Sequence, residues 1–161
     1  EQYWRDNRLN MIHEGTHGIQ ATDLLGRKVR MQGGAGLQLL AATVNDTIQK
    51  AMAHEALSAY ANQLAKALAE VGGATKSAWA TENAHQALAN AVPYMQAAGH
   101  TVLAWMWLDL ACCMLASGQV DAGRMAAMRY FFHYELPKIG AWLNVVKSRD
   151  MTCADLPVDA F

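Results

Sequence analysis

Apolar positions beyond residue 37 recur every three to four residues. Leu40, Val44, Ile48 and Met52 stand at intervals of four, and Leu57, Tyr60, Leu64, Leu68 and Val71 continue the stripe. This spacing keeps one face of an α-helix apolar, and Gly72-Gly73 is expected to stop it. A second helix is predicted from Ser77 to Ala98, with Trp79, Ala84, Leu88, Val92 and Met95 on one side and Pro93 kinking or splitting it. Gly99 then precedes Val102 to Ala116, a run apolar nearly all round that belongs at the centre of a bundle. Ser117-Gly118 separates it from a helix over Val120 to Leu136, carrying Met125, Met128, Phe131 and Phe132. Pro137 interrupts there, and Ile139, Trp142, Leu143 and Val146 form a last turn or short helix. Nothing alternates with period two for more than a few residues.

The first thirty residues are more polar and have an irregular centre at Glu14-Gly15-Thr16-His17-Gly18. Thr16 could cap a helix from about Gly18 to Arg30, whose last turn carries Arg27, Lys28 and Arg30 at the negative end of the helix dipole. Gly33-Gly34-Ala35-Gly36 follows, three glycines in four residues, and reads as a joint between two units. The expected organisation is therefore a short helix-turn-helix segment over 1–32, then an additional helical domain over 37–161. The fold class is all-α: an antiparallel bundle of four to five helices.

Composition narrows the function classes. Thirty alanines, nine methionines and three prolines in 161 residues agree with helices. A net charge of −1 gives no basic surplus for nucleic acid. Glu1 to Asp6 lacks the apolar core of a signal peptide. Val102 to Ala116 spans fifteen residues and contains Asp109, whereas a bilayer span needs about 20 apolar residues, so a buried helix is expected and no membrane segment. Cys112, Cys113 and Cys153 form no CxxC pair; an odd count in such a chain suggests reduced thiols packed as small hydrophobes in a cytoplasmic protein. A chain opening at Glu1 rather than methionine is expected to be a piece of something longer.

Chemistry concentrates in one stretch with two readings. As a string, His13-Glu14-Gly15-Thr16-His17 spells H-E-x-x-H, which on a helix would aim two imidazoles at zinc with the glutamate activating water. Gly15 and Thr16 in its middle and Gly18 after it disfavour that helix, and no third ligand arrives with recognisable spacing. No metal site is expected. The second reading uses more residues. Tyr3-Trp4-Arg5-Asp6-Asn7-Arg8, followed by Ile12-His13-Glu14-Gly15-Thr16-His17-Gly18-Ile19-Gln20, resembles the C-terminal signature of FAD-dependent acyl-CoA dehydrogenases, in which an R-D-x-R/K element leads into I-Y-E-G-T-x-x-I-Q. The likeness is dense over residues 3–30. The helical remainder is similar, more diffusely, to the extra C-terminal domain of a subgroup typified by 3-(methylthio)propanoyl-CoA dehydrogenases.

The resemblance implies roles. Glu14 would be the base that removes the α-proton of the acyl thioester while the β-hydrogen leaves as hydride to the flavin, a task that needs a raised pKa in a water-poor cleft. Its backbone N–H would help stabilise the enolate oxygen. Gly15, without Cβ, permits close approach of substrate. Thr16, His17 and Gly18 match positions that touch FAD in the family, and the free N–H groups of a helix they open would favour a pyrophosphate. Implied partners are an acyl-CoA, an electron-transfer flavoprotein and further copies of the chain. The chain also departs from the family pattern: His13 replaces the tyrosine before the glutamate, Ala21 stands where arginine commonly follows Gln20, and a basic residue expected three turns on falls on Gly26, with Arg27 beside it as the substrate-binding candidate. The parent reaction would be α,β-desaturation of an acyl-CoA, with the 161 residues inactive alone and holding little FAD. The competing reading makes 37–161 a non-catalytic interaction or oligomerisation module, since it shows no acid or base constellation. The scattered His54, His85, His100 and His133 read as surface or packing residues, and Trp79, Trp105, Trp107 and Trp142 as core.

Overall fold

The structure, a computed structural model, describes residues 1–11 and 17–160. It is all-α, with no strand among the described residues. Helix α1 (Gln2–Asn7) continues as a 3-10 turn to Met11. After the undescribed stretch come α2 (His17–Asp23), prolonged by a π turn over Leu24–Lys28, then α3 (Ala35–Met52), α4 (Glu55–Ala78), short α5 (Ala84–Leu88) and α6 (Ala91–Ser117). Helix α7 (Ala122–Tyr130) runs through a second π turn (Phe131–Glu135) and a 3-10 turn (Leu136–Lys138) into α8 (Ile139–Ser148).

Helices α3, α4, α6 and the α7–α8 column form the bundle, and consecutive members alternate in direction. α4 and α6 lie against each other and against both α3 and α8. Leu57, Leu64, Leu108 and Leu143 are fully buried between them, each contributing about 1.5–3 kcal/mol relative to exposure. Alanines at 61, 67, 74, 97, 104 and 111 fill the remaining seam of α4 and α6, which lets two backbones approach closely. The polar atoms inside are paired. The Trp105 indole N–H donates to Thr47 Oγ1 (2.9 Å), and the Thr47 hydroxyl donates to Asp109 Oδ1 (3.1 Å), joining α3 to α6. Tyr94 and Thr75 share a 2.7 Å hydroxyl contact joining α6 to α4, and burial pushes the Tyr94 phenol above its ordinary value. Lys147 pairs with Glu70, and Arg149 donates to the Ser77 carbonyl (2.7 Å), closing α8 onto α4.

Several boundaries differ from the sequence expectation. Helix α4 does not stop at Gly72-Gly73 but runs through to Ala78, because its buried face, Val71, Ala74 and Ala78, holds the backbone helical. Pro93 neither kinks nor splits a helix: it occupies the third position of α6, where no intrahelical N–H bond is lost. Gly99 lies inside that helix and does not precede it. The Ser77–Ala98 helix is thereby replaced by the end of α4, an irregular link, α5 and the start of α6. The fifteen-residue run becomes a 27-residue helix, longer than the sequence reading gave it, and long and apolar enough to cross a bilayer by length and composition alone. Here it is the bundle's central helix, with Ala104, Leu108 and Ala111 fully buried.

Gly118 ends α6 in the left-handed region (φ 69°), and Asp121 Oδ1 then caps α7 by accepting from Arg124 N (2.7 Å). At the glycine joint, Gln32, Gly33 and Gly34 all have positive φ (52°, 66°, 86°), which turns the chain sharply into α3. The preceding segment is nonetheless packed on the bundle: Ala21, Leu25 and Val29 are buried in the same apolar core as α3–α8. Of the cysteines, Cys112 is buried on α6, the next position along that helix, Cys113, is exposed, and Cys153 beyond α8 is exposed as well.

Two stability measurements check this packing. A Cβ at Gly73 would meet no atom within 4 Å, so Gly73→Ala should raise the unfolding free energy by about 0.5–1 kcal/mol in a urea titration with unchanged slope. Thr47→Val should lower it by about 1–3 kcal/mol, because the Trp105 N–H and the Asp109 carboxylate both lose their partner, and Thr47→Ser should recover most of that loss.

Candidate functional site

The sequence candidates divide by position. Glu14, Gly15 and Thr16, with His13 and therefore most of the HEGTH string, lie outside the described residues. His17, Gly18 and Arg27 are described. His17 is the first residue of α2 and exposed, and Gly18 beside it is exposed with open space around it. Arg27 sits one turn before the end of this helical segment, on the π turn. Among the described residues no group of three or more His, Cys, Asp or Glu is placed to hold a metal ion.

The amphipathic pattern of α2 decides what its outer face presents. Ala21, Leu25 and Val29, four residues apart, point into the core, so Gly18, Thr22, Gly26, Arg27 and Arg30 face outward. They line one open groove of about 620 Å³, closed on its far side by Trp79 from the end of α4 and by Ala84 and Leu88 of α5. The groove therefore brings together Gly18 and Arg27, which the sequence assigned separately to cofactor and substrate. It also explains one departure from the family pattern. A Cβ at Gly26 would lie 3.4 Å from Leu88 Cδ2, so α5 packs directly over the position where the family pattern has a basic residue.

The cations of this groove are not equivalent. Arg27 is held bidentately by Asp23 of the preceding turn, Nε to Oδ1 at 2.5 Å and Nη2 to Oδ2 at 3.1 Å. The guanidinium holds the Asp23 carboxyl below its ordinary range, chiefly through these hydrogen bonds, and the Arg27 pKa is raised in return. Arg30 is different. Its guanidinium lies over the Trp79 ring, 3.8 Å from the centroid, and has no carboxylate partner among the described residues. The indole is fixed from behind, its N–H donating to the Leu25 carbonyl at 3.0 Å. That carbonyl is reached at the π turn, which closes with Val29 N–H on Leu24 O (3.0 Å). Sequence reading placed Trp79 in the core and gave Arg30 no role beyond the helix end. Its spacing of three from Arg27 was a usable signal that both share a face. The pairing with Trp79, 49 residues further on, had none.

With this geometry in place, the likeness to known proteins becomes specific. A family model described as acetyl-CoA dehydrogenase C-terminal like matches residues 40–157, from within α3 to past α8. The chain belongs to this acyl-CoA dehydrogenase C-terminal family. Among curated relatives, a 3-methylmercaptopropionyl-CoA dehydrogenase of Ruegeria pomeroyi is 34% identical over 110 residues, covering 65% of this chain and 18% of the relative. A butyryl-CoA dehydrogenase of Syntrophomonas wolfei is 27% identical over 177 aligned positions, covering 98% of this chain and 28% of the relative. A broad-specificity linear acyl-CoA dehydrogenase of Mycobacterium tuberculosis is 22% identical over 178 positions, covering all of this chain and 29% of the relative. The chain thus spans less than a third of the length of the relatives it matches. The family assignment and the all-α bundle agree with the resemblance drawn from residues 3–30, although the family model itself begins only at residue 40.

Acid titration reports on the groove. The Asp23 carboxyl is lowered in the folded state, so its contribution to stability is complete above the ordinary aspartate value of 3.8 and is lost as pH falls through the lower folded value. Asp23→Asn should lower the plateau at pH 6–8 and flatten the part of the curve below about pH 4, so that variant and parent converge at the acid end, as read by thermal unfolding across pH 2–8.

Proposed function

We propose that the chain is the C-terminal part of an acyl-CoA dehydrogenase that carries out FAD-dependent α,β-dehydrogenation of acyl-CoA thioesters. The observation that carries this is the coincidence of two independent signals. The bundle belongs to a family of acyl-CoA dehydrogenase C-terminal domains, and the sequence just before α2 carries Glu14-Gly15-Thr16 with its flanking residues. Alignments that cover 98–100% of the chain support taking both segments together.

In this reading Glu14 removes the α-proton of the thioester, Gly15 leaves room for the substrate beside it, and Arg27 contributes positive charge toward the CoA moiety. Thr16, His17 and Gly18 contact the cofactor. The described donors suit an anionic dinucleotide: His17 and Gly18 are exposed and unobstructed at the start of α2, and Arg27 and Arg30 add positive charge along the same groove. FAD, when bound, supplies the acceptor for the β-hydrogen as hydride. The chain's own residues hold and orient: the bundle fixes α2 and the π turn after it through Ala21 and Leu25. Since the described groove is open to solvent, exclusion of water from the reacting carbons falls to parts beyond these 161 residues, as does most of the flavin site. An electron-transfer flavoprotein as electron acceptor, assembly into a homo-oligomer and a cytoplasmic location complete the proposal.

Two measurements test it. In the enzyme of the relatives' length, Glu14→Gln should abolish turnover of acyl-CoA while the flavin spectrum of the purified protein persists; retained turnover would remove Glu14 as the base. The 161-residue chain by itself should be colourless and inactive, and a stoichiometric flavin absorbance would contradict the division of the site described above.

A further inference from the structure

We propose that the uncovered face of α6 is a self-association surface, on which α6 of a second copy packs antiparallel about a two-fold axis at Leu103. This gives the homo-oligomer of the reading above its interface, and it does not depend on the catalytic assignment.

The outer stripe of α6 has the period of a helix seam. Val92, Gln96, Gly99, Leu103, Met106, Leu110 and Cys113 stand at intervals that alternate between four and three, the a/d spacing by which two helices interlock side chains. Val92, Leu103 and Met106 are 38%, 46% and 58% exposed. Gln96, Gly99 and Cys113 are exposed as well, and Leu110 is half-buried. No charged residue stands on this stripe. Asp109, the one charge of α6, is engaged to the side by the Thr47 hydroxyl, so two such stripes can meet without like charges opposing each other.

The stripe carries both a hole and the side chain that fits it. Met95, Ala98, Gly99 and Val102, at positions i, i+3, i+4 and i+7, border a cavity of about 450 Å³ between α6, α3 and the first π turn. Four residues in that arrangement receive one side chain from a facing helix. The polar groups of the cavity are already paired: the Tyr94 hydroxyl with Thr75 and the Thr101 hydroxyl with the Ala97 carbonyl (2.9 Å). An apolar side chain is therefore the occupant that fits. Met106, seven residues further along the same stripe, projects into solvent, and an unbranched thioether adapts to an irregular gap. Antiparallel pairing about Leu103 sets that residue against its own copy, Met106 against Gly99, Leu110 against Gln96 and Cys113 against Val92. Each copy then gives one methionine and receives one, and the contact closes. A different partner would need only the hole or only the projecting side chain. The presence of both on one stripe, on either side of Leu103, selects a second copy.

Sedimentation equilibrium on the 161-residue chain should show a dimer. Met106→Glu should weaken it by about a hundredfold or more, because a carboxylate would enter an apolar hole. Gly99→Leu should weaken it by about tenfold or more by filling that hole. The monomer should keep its fold, read by urea unfolding, since a Cβ at Gly99 meets no atom within 4 Å. Copper-catalysed oxidation reads the register. With the exposed thiols Cys113 and Cys153 replaced by serine, Leu103→Cys should give a disulfide-linked dimer. Val92→Cys should do so only where Cys113 is kept. Cys113 should not join its own copy, which lies about 30 Å away along the helix axis. A chain that stays monomeric, free or bound to phosphatidylglycerol vesicles, overturns the proposal. So does a dimer indifferent to Met106→Glu and Gly99→Leu, or one linked through Cys113 to Cys113; both leave the homo-oligomer standing on another face. A monomeric enzyme of the relatives' length removes the homo-oligomer itself, and none of these results touches Glu14-dependent turnover.

Discussion

A helix without a polar face can exist in water only where other elements cover it, and α6 places that demand on the whole molecule. From Ala91 to Ser117 it carries one charged residue, Asp109, and that carboxylate is met by the Thr47 hydroxyl on α3. Covering the remaining sides recruits α2, α3, α4 and the α7–α8 column. Their amphipathic stripes are consequences of this one element: each needs a single apolar face because α6 supplies the opposing surface. The coverage is incomplete within this chain. Leu103 and Met106 remain 46% and 58% exposed on the outer side of α6.

The same demand links the bundle to the groove. α2 is too short to be stable alone, and it is held by burying Ala21, Leu25 and Val29 against α6 and its neighbours. That docking sets which residues of α2 look outward, and the outward set, Gly18, Arg27 and Arg30, is the lining of the groove. Trp79 works from both sides, packing partly against the core while offering its ring to Arg30 and its N–H to Leu25. Positioning of the candidate binding residues is therefore a property of core packing and does not depend on a loop.

What could be read in advance followed from locality. The helical stripes at Leu40–Met52 and Leu57–Val71, the turn at Gly118 and the short helix after Pro137 were legible because each is governed by neighbours within one or two turns. The errors came where distant packing overrode local signals. Gly72-Gly73 and Gly99 are poor helix residues, yet Val71, Ala74, Ala97 and Thr101 are buried on either side and keep the backbone helical. Pro93 misled because its effect depends on where the helix begins, which Asn90 sets. The resemblance in residues 3–30 was legible as a motif, but the spatial partners of that segment were not, since Trp79 and Leu88 enter from fifty to sixty positions away.

The two π turns, at Leu24–Lys28 and Phe131–Glu135, each accommodate one residue more than an α-helical turn would. Deleting a single residue from either would leave an ordinary α turn that covers nearly the same rotation, so the helix beyond keeps its face. At the first turn Val29 would stay on the core side, and at the second Ile139, Leu143 and Val146 would stay turned toward α4 and α6. The bulges thus let chain length change by one residue inside what looks like continuous helix, as the exposed link around Gly118 does at a surface turn. Relatives that share the bundle should vary in length between the helices and, by a single residue, at these two turns.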